Sequence, residues 1–127
     1  MTAFDWQKYI LVAEKLQIDD SEESNRSGIS RAYYATFNRA KILCLNEKLI
    51  TTADERDFTG GIHSKVIKLL LGEDNHELNS IGHKLKTLRF RRNNADYKTY
   101  CDESGTSKLL MDTINKAKEL LADMKAY

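Results

Sequence analysis

Apolar residues of the segment 78–97 fall at Leu78, Ile81, Leu85, Leu88 and Ala95. The gaps of three, four, three and seven follow one face of a helix, and that face points at a core or a partner. Arg92 stands where the stripe asks for one more Leu. The same periodicity predicts four further helices. The first covers residues 3–17, with Phe4, Tyr9 or Trp6, Ile10, Ala13 and Leu16 or Gln17 inward. The second and longest covers 22–49, with Ile29, Ala32, Tyr33, Thr36, Phe37, Ala40, Leu43 and Cys44 on a wide apolar face. Tyr34, Ala35, Ile42 and Leu45 carry that face round the other side. A helix apolar on most sides is central, or is shared with another subunit. The third covers 61–71, bearing Ile62, Val66, Ile67, Leu69 and Leu70, with Gly72 placed to stop it. The fifth, after the segment first described, covers 106–125, with Leu109, Leu110, Ile114, Ala117, Leu121 and Met124 inward.

Between these lie an acidic turn at 19–23, where Ser21 or Ser24 can cap, and two loops at 50–60 and 99–105. Gly28 sits near the start of the longest helix, where glycine costs about 1 kcal/mol against alanine, so a neighbouring backbone is expected to approach it closely. The chain has no proline, and alternating strand patterns are absent. The expected class is all-α, an antiparallel four- to five-helix bundle, with residues 1–127 forming one domain.

Composition narrows the function. No run of about 20 apolar residues is present, so no membrane span is expected. The N-terminus lacks the pattern of a signal peptide, and two cysteines, Cys44 and Cys101, fit a reducing cytoplasm. Cys44 reads as a buried free thiol. The net charge of +1 conceals a division. Residues 84–98 hold Lys84, Lys86, Arg89, Arg91, Arg92 and Lys98 against Asp96 alone, while the first 23 residues are mainly acidic. His63, His76 and His83 lie on different elements without paired acids, so no metal site is expected, and no phosphate-cradling glycine loop is present. No cofactor is called for.

Arg92 admits two readings. It is paired inside the fold, with Asp96 one turn on and Arg31 also near, or it faces a shared cleft. A guanidinium keeps its charge at any ordinary pH, so it has to find partners.

Two stretches carry a resemblance. One is Ser30-Arg31-Ala32-Tyr33-Tyr34-Ala35-Thr36-Phe37 followed by Ala40; the other is Arg92-Asn93-Asn94-Ala95-Asp96-Tyr97. Ile62-His63-Ser64-Lys65-Val66 lies between them, and a helix containing Ala117-Lys118-Glu119-Leu120-Leu121 follows. In this order, over nearly the whole chain, the sequence resembles the HEPN domain family, and within it the small single-domain proteins with SRAYYA and RxxADY signatures. The resemblance implies a helical bundle that forms a homodimer through its motif-bearing helices. It also implies a toxin–antitoxin or antiviral defence role on RNA, as a metal-independent endoribonuclease or a degenerate relative of one. Arg92 and Asn93 match the family's Arg and following polar residue, while Tyr97 holds the place of its His. Arg89, Arg91, Asp96 and Lys98 would supply the surrounding binding groups. Some family members are non-catalytic modules, and others partner a nucleotidyltransferase antitoxin that modifies a Tyr near the motif; Tyr97 and Tyr100 are the candidates on that reading.

Metal-free RNA cleavage needs a base for the 2′-hydroxyl, an acid for the 5′-oxygen and cations for the phosphorane charge. A phenol with a pKa of about 10 is a poor base near neutrality. Five residues also separate Arg92 from Tyr97, about 140° round an ideal helix. The two converge only if the helix ends or bends near Asn94–Ala95, or if they act from different subunits.

Overall fold

A computed structural model of the chain describes residues 2–100 and 103–127. Its elements are α1 (Lys8–Asp19), α2 (Glu22–Asn46), the single turn α3 (Thr52–Glu55), α4 (Gly61–Leu71), α5 (His76–Tyr97) and α6 (Glu103–Asp123), closed by a 3₁₀ turn (Met124–Ala126). No strand occurs among the described residues, and the all-α expectation holds. Part of the expected loop at 99–105, with Cys101, lies outside the described residues, and α6 begins inside the rest of it.

Local signals explain most boundaries. α1 starts later than its apolar stripe suggests. Phe4, Trp6 and Tyr9 form an aromatic knot at its entrance, with Phe4 and Trp6 centroids 4.9 Å apart in an edge-to-face arrangement. Asp20 ends α1 at φ 53, in the left-handed region that Asp tolerates better than most residues. Ser21 then accepts the Ser24 amide as N-cap of α2, with Glu22 and Glu23 in the first turn. α2 stops at Asn46, before the expected Leu49, and Lys48 turns the chain at φ 60. In the expected loop at 50–60, Thr51 and Asp54 form a reciprocal capping box that starts α3. Gly72 does cap α4, but in right-handed geometry rather than the left-handed stop.

α2 is the central rod, and α1, α4, α5 and α6 all pack on it. Ile29, Ala32, Tyr33, Ala35, Phe37, Ala40, Leu43 and Cys44 are buried there. Its many apolar sides are thus covered within one chain, and they do not of themselves call for a second subunit. On α6 the inward set is Leu110, Ile114, Ala117, Leu120 and Leu121, while Leu109 faces outward, contrary to expectation. Two glycines mark close approaches. A Cβ on Gly28 would come within 2.8 Å of Leu110 Cδ1 and 3.5 Å of the Ala13 carbonyl oxygen, so the expected backbone is in contact there and a side chain lies closer still. At Gly82 a Cβ would come within 3.0 Å of both Leu70 Cβ and the Leu71 amide nitrogen, so α4 and α5 touch at backbone distance.

Candidate functional site

The stripe of α5 is buried as its spacing requires: Leu78, Ile81, Leu85, Leu88, Arg92 and Ala95 all face inward. Arg92 is only 8 % exposed. Its Nη1 donates to Asn93 Oδ1 at 2.8 Å and its Nη2 to the Tyr34 hydroxyl at 2.9 Å. The guanidinium carbon lies 5.4 Å from the Tyr33 ring centroid and 5.1 Å from that of Tyr34. Asp96 is the expected ion partner, yet its nearest oxygen is 3.8 Å from Arg92 Nε, and that shielded nitrogen makes no hydrogen bond. The Asp96 carboxylate instead accepts from Ser30 Oγ at 3.2 Å. Arg31 takes no part in the pair and lies over the rings of Tyr9 and Tyr34 at 5.0 and 5.2 Å. Neutral groups therefore hold the Arg92 charge in place, and a carboxylate only grazes it.

The two motif stretches meet here because both use helical spacing. Ser30, Tyr33 and Tyr34 lie on the side of α2 that faces α5, and Arg92, Asn93 and Asp96 share a side of α5. Arg26, one turn before Ser30, donates through Nη1 to the Ala95 and Lys98 carbonyls at 3.1 and 2.7 Å. It satisfies the end of α5 and suits the negative pole of that helix.

The other candidates scatter. Arg91 turns to α6, pairing with Asp112 at 2.7 Å and donating to Thr113 at 3.2 Å. Lys84 likewise pairs with Glu119 and Asp123. Lys98 is exposed. Tyr97 is 77 % exposed and forms no hydrogen bond or ring contact with Arg92, because α5 runs unbroken to its end and puts the two on different faces. Arg89 stays with Arg92, half-buried one turn earlier, and its shielded Nε lacks a partner.

His63, which the resemblance includes without giving it a role, completes the cluster. It enters from the first turn of α4 and stacks on Phe37 with centroids 3.9 Å apart. Its Nδ1 is 2.7 Å from the Tyr33 hydroxyl. Burial, then the charges of Arg92, Arg89 and Lys41, pull its pKa down to about 4, so the ring is neutral near pH 7. Burial raises the Tyr33 phenol well above its usual value. Cys44 is buried, and its thiol is pushed up to about 12, which leaves it unreactive. Among the described residues no group of three or more His, Cys, Asp or Glu could hold a metal ion, and no helix is long and apolar enough to cross a membrane.

Compared with protein-family models, curated proteins and solved structures, the chain matches none.

Proposed function

We propose that this chain is an HEPN-type protein of a toxin–antitoxin or antiviral defence system that acts on RNA through Arg92. The observation that supports this reading most is the way Arg92 is held. A structural ion pair would bring Asp96 to hydrogen-bond distance, whereas this guanidinium is fixed by an amide oxygen, a phenol and two rings, with the carboxylate at 3.8 Å. Its charge is oriented and only partly neutralised, as a group meant for an incoming phosphate should be. Asn93 can orient that phosphate. A symmetric homodimer in which α5 approaches its mate would bring a second Arg92 and a Tyr97 to the same phosphate. The acid–base function is weakly supplied, since Tyr97 replaces the family His and lies apart from Arg92 in its own chain. Weak or absent cleavage by the isolated protein is therefore expected, with RNA binding retained.

The test measures single-stranded RNA binding by wild type and Arg92→Ala across a salt series, with total RNA followed on gels. Binding that weakens with salt and drops in the variant supports the reading. Equal binding by both proteins, or none by either at low salt, refutes it.

A second reading, a non-catalytic HEPN module partnering a nucleotidyltransferase, draws on the exposure of Tyr97 and Tyr100, 77 % and 85 %. Both phenols are open to modification. Incubation with ATP and a nucleotidyltransferase encoded beside this protein would then add a nucleotide mass to one of them.

A further inference from the structure

Positive charge gathers beside Arg92 that its own contacts do not explain. Lys41 follows Phe37 by one turn on α2, and is 8 % exposed. It makes no ion pair or hydrogen bond among the described residues, and its Nζ lies 5.9 Å from the ring centroids of both Phe37 and Phe58. Arg89 likewise has no ion pair among the described residues, and its Nε is shielded there without a hydrogen bond. These two and Arg92 are the charges that act on His63, and all three are positive. Asp96, the carboxylate paired with Arg92 among the described residues, also accepts from Ser30. Arg89 is half-buried with its Nε shielded, while the Lys41 Nζ still reaches solvent at the edge of the cluster. Like charges gathered in this way repel one another, and an anion supplied from outside offsets that repulsion.

The hydrogen bond between Tyr33 and His63 fixes what the imidazole offers. Tyr33 is fully buried, and its hydroxyl makes no other hydrogen bond among the described residues. The phenol proton therefore goes to Nδ1, and the neutral ring carries its own proton on Nε2. Nε2 makes no hydrogen bond within the described residues and is not shielded from solvent. His63 thus presents a donor, not a base. It does so from the first turn of α4, where the helix dipole adds further positive potential and Gly60 supplies no side-chain cap.

We propose that Lys41, Arg89 and the Nε2–H of His63 form a phosphate subsite beside Arg92, and that its occupant is a backbone phosphate of single-stranded RNA. The identity of the occupant rests on the RNA reading above; the subsite itself does not. Phe58, 92 % exposed next to Lys41, gives an adjacent base a ring to stack on. Two phosphates of one strand would then be held, one at Arg92 and one at Lys41–Arg89–His63. An anion in the subsite offsets the charges of Arg92, Arg89 and Lys41 that oppose protonation of His63, so binding takes up a proton. A phosphodiester does not titrate in this range, and RNA affinity should rise as pH falls from about 6.5 towards the free-protein value of about 4.

The experiment uses an oligouridylate of about ten nucleotides and, separately, inorganic phosphate. Affinity is measured at low salt for wild type, Lys41→Met, Arg89→Met and His63→Gln, and the His63 ring protons are titrated by NMR in the wild type. The expected result is about a tenfold loss of RNA affinity in each variant, together with an upward move of the His63 titration when RNA is added. Variants that bind RNA as wild type does, while Arg92→Ala does not, overturn the subsite and leave the Arg92 reading standing. Inorganic phosphate that moves the His63 titration and loses its effect in Arg89→Met, with no RNA bound, supports the subsite and overturns both its RNA occupant and the RNA reading. A His63 titration that neither probe moves overturns the subsite without recourse to any variant.

Discussion

Replacing Arg92 by Ala separates a held functional charge from a structural ion pair. The side chain donates two hydrogen bonds from a charged group, each worth about 1.5–3 kcal/mol, to Asn93 and Tyr34. It also lies over two rings, at about 0.5–1 kcal/mol each or more when desolvated. Against this stand the several kcal/mol needed to desolvate a guanidinium and its repulsion with Arg89. A shielded Nε without a hydrogen bond adds to that cost. The balance should be a loss of about 1–2 kcal/mol, short of the 3–5 kcal/mol typical when one member of a close buried pair is removed. Asp96→Asn keeps an acceptor for Ser30 and should lose less than about 1 kcal/mol, since its oxygen is 3.8 Å from Arg92 and its side chain is partly open to water. Urea unfolding of the two single variants and of the double variant measures the coupling between them. A small coupling, under about 0.5 kcal/mol, is expected. Losses above about 3 kcal/mol in both single variants would show that the pair is what the fold keeps Arg92 for.

Arg89→Met keeps the apolar stem and removes an unpartnered charge, so unfolding curves should show a gain of about 1 kcal/mol. Gly82→Ala should destabilise by about 1–3 kcal/mol despite alanine's helix preference, because the neighbours its Cβ meets are backbone and Cβ atoms of α4. Gly28→Ala meets the tip of Leu110, which can turn aside, and should lie near neutral; thermal melts that rank the two the other way would refute this account. The folded-state pKa of His63 is depressed, so the unfolded chain binds the proton more readily. Its contribution to stability is fully present above the unfolded value of about 6.5 and is lost as pH falls towards about 4. Stability measured across that window should decline less steeply in His63→Gln than in the wild type.

Spacing made the bundle legible, and so did the odd Arg in the α5 stripe, because a charge at a core position is visible in one dimension. The capping box of α3 could have been found from Thr51 and Asp54, which stand three residues apart. His63 could not be placed in this way. Nothing on α4 alone marks it, and its role comes from Tyr33, Phe37 and Lys41 on α2 and from Arg89 on α5, which come together only after packing. The basic run misled in the opposite direction. Lys84 and Arg91 belong to ion pairs with α6, whose acids lie 21 to 39 residues further on. What remains of the run on the motif side is Arg89 and Arg92, one turn apart.

Tyr97 is where sequence pattern and geometry diverge most usefully. The helical offset of about 140° would have been removed by a break in α5, but α5 continues through Tyr97, and the Lys98 amide closes on the Asn94 carbonyl at 3.0 Å. A residue at position 97 therefore cannot share a phosphate with Arg92 of its own chain, whatever its chemistry. Tyr97→His should leave the monomer as inactive as before. It should confer RNA cleavage only where two copies place Arg92 of one against position 97 of the other. The activity then requires the dimer, rises more steeply than linearly with protein concentration below the dimer dissociation constant, and peaks near pH 6–7, where imidazole exchanges its proton. Cleavage by Tyr97→His that is strictly proportional to protein concentration in a sample shown by light scattering to be monomeric would mean that α5 opens near its end during the reaction. The two-copy arrangement would then have to be given up.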